Sequence, residues 1–258
     1  MSRKWLIVVL PLVLWACSSS AGPRTVPGQL KPDSPEYLMN EGLNFLNRGN
    51  LAAAEQKLLA ALKKRPTLIR AQNGLGLVYT YRRDFPKAIA SFKRVIQLDP
   101  SFTDAYNTLG ILYTETGQYD AAKENLLIAA NASNYQTPEN AYANLALLEI
   151  RFNRPPDSAL RYIEKGLSLN NAFAPLYNLK GIILENSNDL RGAVENFEKA
   201  LSLIKEPDAF YLFNLGRVFS KLGEKQSALD KLEQAMTKTQ DPNLKKQIQD
   251  LIRVVEKP

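Results

Sequence analysis

A small residue returns along this chain at nearly constant spacing. Gly42, Gly76 and Gly110 stand 34 residues apart, and Ala146, Gly181 and Gly216 continue the series at intervals of 36, 35 and 35. Three residues on, most copies carry a large side chain: Phe45, Tyr79, Tyr113, Leu184 or Phe219. Twelve or thirteen residues on, every copy has an alanine: Ala54, Ala88, Ala122, Ala159, Ala193 and Ala228. Self-similarity at a period of this size marks an array of identical supersecondary units. Glycine within a helix costs about 1 kcal/mol relative to alanine, so five of them at one phase require a packing reason. Two helices that cross closely provide it, because one contact position must be small while neighbours three and four residues away fill the gap.

Turns separate the two helices of each unit at Arg48-Gly49-Asn50, Arg83-Asp84-Phe85, Thr116-Gly117-Gln118, Ser187-Asn188-Asp189 and Leu222-Gly223-Glu224. The second helix stops at signals such as Arg65-Pro66 or Asp99-Pro100. The fourth unit departs most, with one inserted residue and Pro155-Pro156 in its turn, but a helix pair is still expected there. Six helix pairs over residues 35–242 are closed by residues 243–258. There Leu244, Ile248, Leu251, Ile252 and Val255 share one helical face and would cap the exposed last repeat.

The spacing resembles the tetratricopeptide repeat (TPR). The second unit supplies Leu75-Gly76, Tyr79, Ala88, Phe92, Val95 and Pro100; the third supplies Tyr106, Leu109-Gly110, Tyr113, Ala122, Leu126 and Ala129. The resemblance implies an all-α solenoid of about six helix pairs in a right-handed superhelix with a C-terminal capping helix. Its concave groove would be lined by the first helix of every repeat. The residue after each small one reads Leu43, Leu77, Ile111, Leu147, Ile182 and Arg217, and three residues before the glycine stand Asn73, Asn107 and Asn178. An apolar stripe flanked by amides, which both donate and accept, suits an extended or helical peptide with hydrophobic anchors. The stripe could equally be the shoulder of the core, partly covered by neighbouring helices. The groove lacks the Lys/Asn/Arg set of the chaperone-binding TPRs that clamp a terminal carboxylate. Aspartate at Leu77 and Ile111 is expected to abolish partner capture without unfolding the chain.

The N-terminus carries a separate message. Ser2-Arg3-Lys4 precedes an apolar run from Trp5 to Trp15, which is too short for a membrane-spanning helix of about 20 residues but suits the core of a signal peptide. The run ends in Leu14-Trp15-Ala16-Cys17, which resembles the bacterial lipobox except at Trp15. Cys17 is the only cysteine of the chain, so in an exported protein it has no internal disulfide partner; a plain cleavable signal would leave it as a free thiol. The lipobox resemblance implies a lipoprotein signal over residues 1–16, a diacylglycerol thioether at Cys17 and an acylated amine. Several acyl chains anchor more firmly than one. Ser18 in place of Asp implies sorting to the outer membrane, on its periplasmic face. Residues 17–34, with Pro23, Pro27 and Pro32, read as a flexible Ser/Pro/Gly tether.

Composition narrows the chemistry. The net charge is +7, and +5 without Arg3 and Lys4; the excess reads as a modest one spread along a solvated surface, with no block suited to nucleic acid. There is no histidine, so neither a His-activated nucleophile nor a His-bearing zinc site can be assembled. The periodic glycines form no phosphate-binding loop. No catalytic residue, cofactor or metal is expected, and function falls to the surface.

A lipobox, a tether and six TPRs together resemble the type IV pilus biogenesis and stability lipoproteins of the PilF/PilW/Tgl kind. The local likeness is strongest at Tyr135-Gln136-Thr137-Pro138-Glu139 leading into Tyr142-Ala143-Asn144-Leu145. The resemblance implies a pilotin, an outer-membrane lipoprotein that binds subunits of the pilus secretin and promotes their insertion and multimer assembly. A periplasmic TPR adaptor for peptidoglycan or envelope-assembly enzymes is the other reading. A monomer is expected, since capped solenoids usually are.

Overall fold

The computed structural model describes residues 31–257, and Cys17 with the rest of the lipobox lies outside them. The described residues form thirteen helices, twelve of them in six antiparallel pairs. The pairs are α1 (Pro35–Asn47) with α2 (Leu51–Lys64), α3 (Ile69–Tyr81) with α4 (Phe85–Leu98), and α5 (Thr103–Glu115) with α6 (Tyr119–Asn131). They continue as α7 (Pro138–Arg151) with α8 (Pro156–Leu169), α9 (Ala174–Asn186) with α10 (Leu190–Ser202), and α11 (Ala209–Leu222) with α12 (Lys225–Lys238); α13 (Pro242–Glu256) follows.

Helix starts are capped where the sequence offers a short polar side chain. Ser34 accepts from the Tyr37 amide, Asn50 from Ala53, and Asp189 from Gly192, each satisfying an amide that the first turn leaves without a partner. Pro156 occupies the first turn of α8, where proline is tolerated, so the double proline starts the helix of the fourth repeat instead of breaking it. The seventh residue after each small one has positive φ in all six repeats: Gly49, Arg83, Gly117, Asn153, Asn188 and Gly223. One turn geometry therefore repeats through the array, although only three copies use glycine for it.

The close crossing inferred from the glycine spacing is present. A Cβ placed on Gly42, Gly76, Gly110, Gly181 or Gly216 would run into Leu58, Phe92, Leu126, Phe197 or Leu232, the residue facing it on the second helix of the same repeat. In the fourth repeat, the corresponding pair is Ala146 and Ile163, both buried in one cluster. All six periodic alanines of the second helices are buried. The inserted stretch before α7 is clipped to the start of α5: Thr103 Oγ1 donates to Asn134 Oδ1 (2.9 Å), and Asn134 Nδ2 donates to the Ser101 carbonyl (2.9 Å). At the far end, α13 lays Leu244 and Ile248 into the last core cluster, with Leu251, Ile252 and Val255 beside them. No described helix is long and apolar enough to cross a membrane.

Candidate protein-binding face

At four of the five joints a first helix packs on the next first helix, α1 against α3, α5 against α7, α7 against α9 and α9 against α11, while no comparable contact joins successive second helices. The array therefore curves with its first helices on the inner side, and the residues following the small positions lie on them.

Leu43, Leu77, Ile111, Leu147 and Ile182 are all half-buried. Leu43 reaches across to α3, where a Cβ on Gly74 would stand 2.8 Å from its Cδ2. Leu77 touches the core clusters of both the first and the following repeats, Leu147 packs in the third cluster, and Ile182 joins the third to the fourth. Four of the five thus seal the joints between repeats and leave only part of their surface to solvent. Ile111 lies outside those clusters.

The three asparagines fare differently. Asn73 is half-buried, whereas Asn107 and Asn178 are buried and paired between helices. Asn144 Nδ2 donates to Asn107 Oδ1 at 2.9 Å, joining α7 to α5, and Asn214 Nδ2 donates to Asn178 Oδ1 at 3.0 Å, joining α11 to α9. The carbonyl oxygens of Asn107 and Asn178 thereby fix the relative placement of consecutive repeats.

Arg217 ends the aliphatic line. Its guanidinium donates through Nε (2.8 Å) and Nη2 (2.7 Å) to the two carboxylate oxygens of Glu185, which also pairs with Lys221 at 2.7 Å, and it stacks 5.3 Å from the Phe213 ring centre. A second buried carboxylate, Glu149, accepts from Tyr119 Oη (2.7 Å) and Lys123 Nζ (2.9 Å) of α6. Sequence reasoning passed over Asn144, Asn214, Glu149 and Glu185. The available signal was the charge itself: Glu149 stands in the slot where most repeats have a large apolar side chain. Among the described residues, no group of three or more His, Cys, Asp or Glu could hold a metal ion.

These features, a half-buried aliphatic line broken by amide pairs and ended by a cation, can hold a polypeptide segment by shape and apolar contact. Tetratricopeptide-repeat profiles match residues 69–102, 91–124, 174–207 and 212–246. The type IV pilus assembly protein PilF of Pseudomonas aeruginosa is 25% identical over 169 residues, covering 65% of this chain and 67% of that protein. Anaphase-promoting complex subunit 3 of Schizosaccharomyces pombe is 26% identical over 158 residues, but the chain spans only 23% of it. The solved structure of P. aeruginosa PilF superposes with a TM-score of 0.67 at 20% identity, covering 84% of this chain and 96% of that one. The structure of PilW, a type IV pilus biogenesis factor, superposes with a TM-score of 0.71 at 18% identity, covering 83% and 98%. The chain is an all-α tetratricopeptide-repeat solenoid, similar at low identity to PilF and PilW.

Proposed function

We propose that this chain is a lipid-anchored pilotin. Held to the periplasmic face of the outer membrane through Cys17, it binds subunits of a type IV pilus secretin as a monomer and assists their insertion and assembly into a multimer. It works by binding and carries no catalytic activity. The observation that carries the reading is the sequence match to PilF, 25% identical over 169 residues and spanning about two thirds of both proteins. The solved PilF and PilW chains share the fold over 84% and 83% of this chain. The physical logic agrees: a secretin subunit crosses an aqueous compartment with apolar segments unsatisfied, and an apolar line on a tethered solenoid shields such a segment until delivery.

The test is the state of the outer-membrane secretin in cells lacking this protein, measured as the ratio of heat-resistant multimer to monomer. Loss of multimer with monomer still present, restored by the wild-type chain, supports the pilotin. A normal multimer overturns it and leaves a lipid-anchored adaptor for peptidoglycan or envelope-assembly enzymes, whose partner crosslinking would find.

A further inference from the structure

The positive charge of the chain is not spread evenly, as composition suggested; it is concentrated. Residues 56–98 contain ten Lys and Arg and a single carboxylate, Asp84, whereas residues 103–258 contain 18 cations and 20 anions. Ion pairs neutralise part of the excess: Lys57 with Glu41, Lys64 with Asp33, Arg65 with Glu36, Arg82 with Glu55 and Lys87 with Asp84. Lys63, Arg70, Arg83, Lys93 and Arg94 take part in no ion pair among the described residues.

The helix α4 shows where this charge points. Pro86, Lys87, Ala90, Lys93, Arg94 and Gln97 are all exposed and recur at the spacing of one helical side, and the helix contains no carboxylate. The preceding second helix, α2, exposes Lys63 and Leu59, the latter 45% accessible. Second helices lie on the outer side of the curve, so this basic face looks away from the candidate groove. Beyond it the sign changes, for α6 exposes Asp120 and Glu124.

We propose that the outer face of α2 and α4 docks on an anionic phospholipid surface. The proposal builds on the reading of Cys17 as a lipid anchor. From Cys17 to Lys31 the chain advances 14 residues, which at about 3.5 Å each reach about 50 Å at most, so the first repeats are the ones held beside the bilayer. Cations within a Debye length of anionic headgroups, about 8–10 Å, are attracted by them, and each multiplies binding about fivefold. Leu59 gives the same face an apolar contact for the interface. Docking there turns the concave face away from the lipid and towards the aqueous compartment, where a partner segment arrives, and keeps the more acidic repeats off the membrane.

The test uses the acylated full-length protein reconstituted in vesicles of phosphatidylcholine, with or without about one-third phosphatidylglycerol. A donor dye is placed by Ala90→Cys in α4 or, as a control, by Ser202→Cys in α10, Cys17 being blocked by its thioether; acceptors sit on lipid headgroups. Energy transfer from position 90 should rise with the anionic lipid, fall in high salt and disappear with Lys63→Glu, Lys93→Glu and Arg94→Glu combined, while transfer from position 202 stays unchanged. Equal transfer from position 90 in both lipids at low salt overturns the proposal and leaves the patch to an acidic protein. The mass of the purified chain reports acylation separately. If Cys17 is unmodified, the anchor reading fails, and docking is decided by sedimentation with anionic vesicles. The three charge reversals then weaken binding by at least about 100-fold if the proposal holds and leave it unchanged if it does not.

Discussion

Gly76 of α3 lies against the ring of Phe92 in α4, so that a methyl group on it would stand 2.8 Å from Cζ and 2.9 Å from Cε2. Phe92 is buried, so its ring could yield only by shifting within the core. Overpacking of this kind costs about 1–3 kcal/mol, whereas alanine in a helix interior regains about 1 kcal/mol over glycine. Gly76→Ala should therefore destabilise the chain by up to about 2 kcal/mol. Phe92→Leu in the same chain should recover part of that loss, making the double substitution milder than the sum of the singles by at least about 0.5 kcal/mol. Urea unfolding of the four proteins measures the coupling, and strict additivity would sink the close-packing account.

The turns give an independent test. Gly223 has φ of 76° with nothing within 4 Å of a built Cβ, so Gly223→Ala adds no clash and exposes only the cost of a left-handed backbone, about 1 kcal/mol. Arg83 holds the equivalent position at φ of 59°. Arg83→Gly relieves that strain but gives up the stacking of the guanidinium 5.3 Å over the Phe85 ring, an exposed contact of about 0.5 kcal/mol. The expected order of thermal midpoints places Gly223→Ala below the wild type and Arg83→Gly at or above it. A fall in both would show that the repeated turn is not where the strain resides.

The repeat, its turns and its capping face were legible because each depends on spacing within one unit, which a single sequence displays. Contacts that cross units were not. Asn107 and Asn178 occupy the line three residues before the glycine, but their partners Asn144 and Asn214 stand one position later in the next repeat, so no within-repeat pattern reveals the pairing. The same limit left the groove and core-shoulder readings of Leu43 and Leu77 equal; the neighbouring repeat closes over both residues and leaves them half-buried. The cations that pair with the buried Glu149 and Glu185 come from α6 and α11, respectively, in neighbouring repeats, so spacing within one repeat does not display those pairs either.

Glu185 ties stability to pH. Burial pushes its carboxyl pKa up, but the two bonds from Arg217 and the pair with Lys221 outweigh burial and hold it below the usual value of 4.5. A carboxyl whose folded pKa is depressed contributes stability that is present above the unfolded value and is lost as pH falls through the folded one. Glu185→Gln should lower stability at neutral pH by about 2–4 kcal/mol, because the half-buried Arg217 loses its counter-charge. The gap between wild type and variant should then narrow as the pH falls below 4.5. Denaturant midpoints of both proteins at neutral and acid pH test this; a gap that stays constant would mean that the Arg217 pair does not depress this carboxyl.

The inner line separates binding from folding at one position only. Leu77 packs on two core clusters, so Leu77→Asp should unfold the second repeat together with any loss of binding; it does not provide the clean test that the sequence suggested. Ile111 lies half-buried on the same line, outside those clusters. Ile111→Asp should keep its unfolding free energy within about 1 kcal/mol of wild type. It puts a charge where an apolar anchor would dock, which is unfavourable unless the partner supplies a counter-charge. Crosslinking in cells that make the secretin, read beside circular dichroism melts, decides the matter. A folded Ile111→Asp that loses the crosslink and the secretin multimer supports the inner line as the docking face. A folded variant that retains both moves the docking face elsewhere on the solenoid and leaves the aliphatic line as the seal between its repeats.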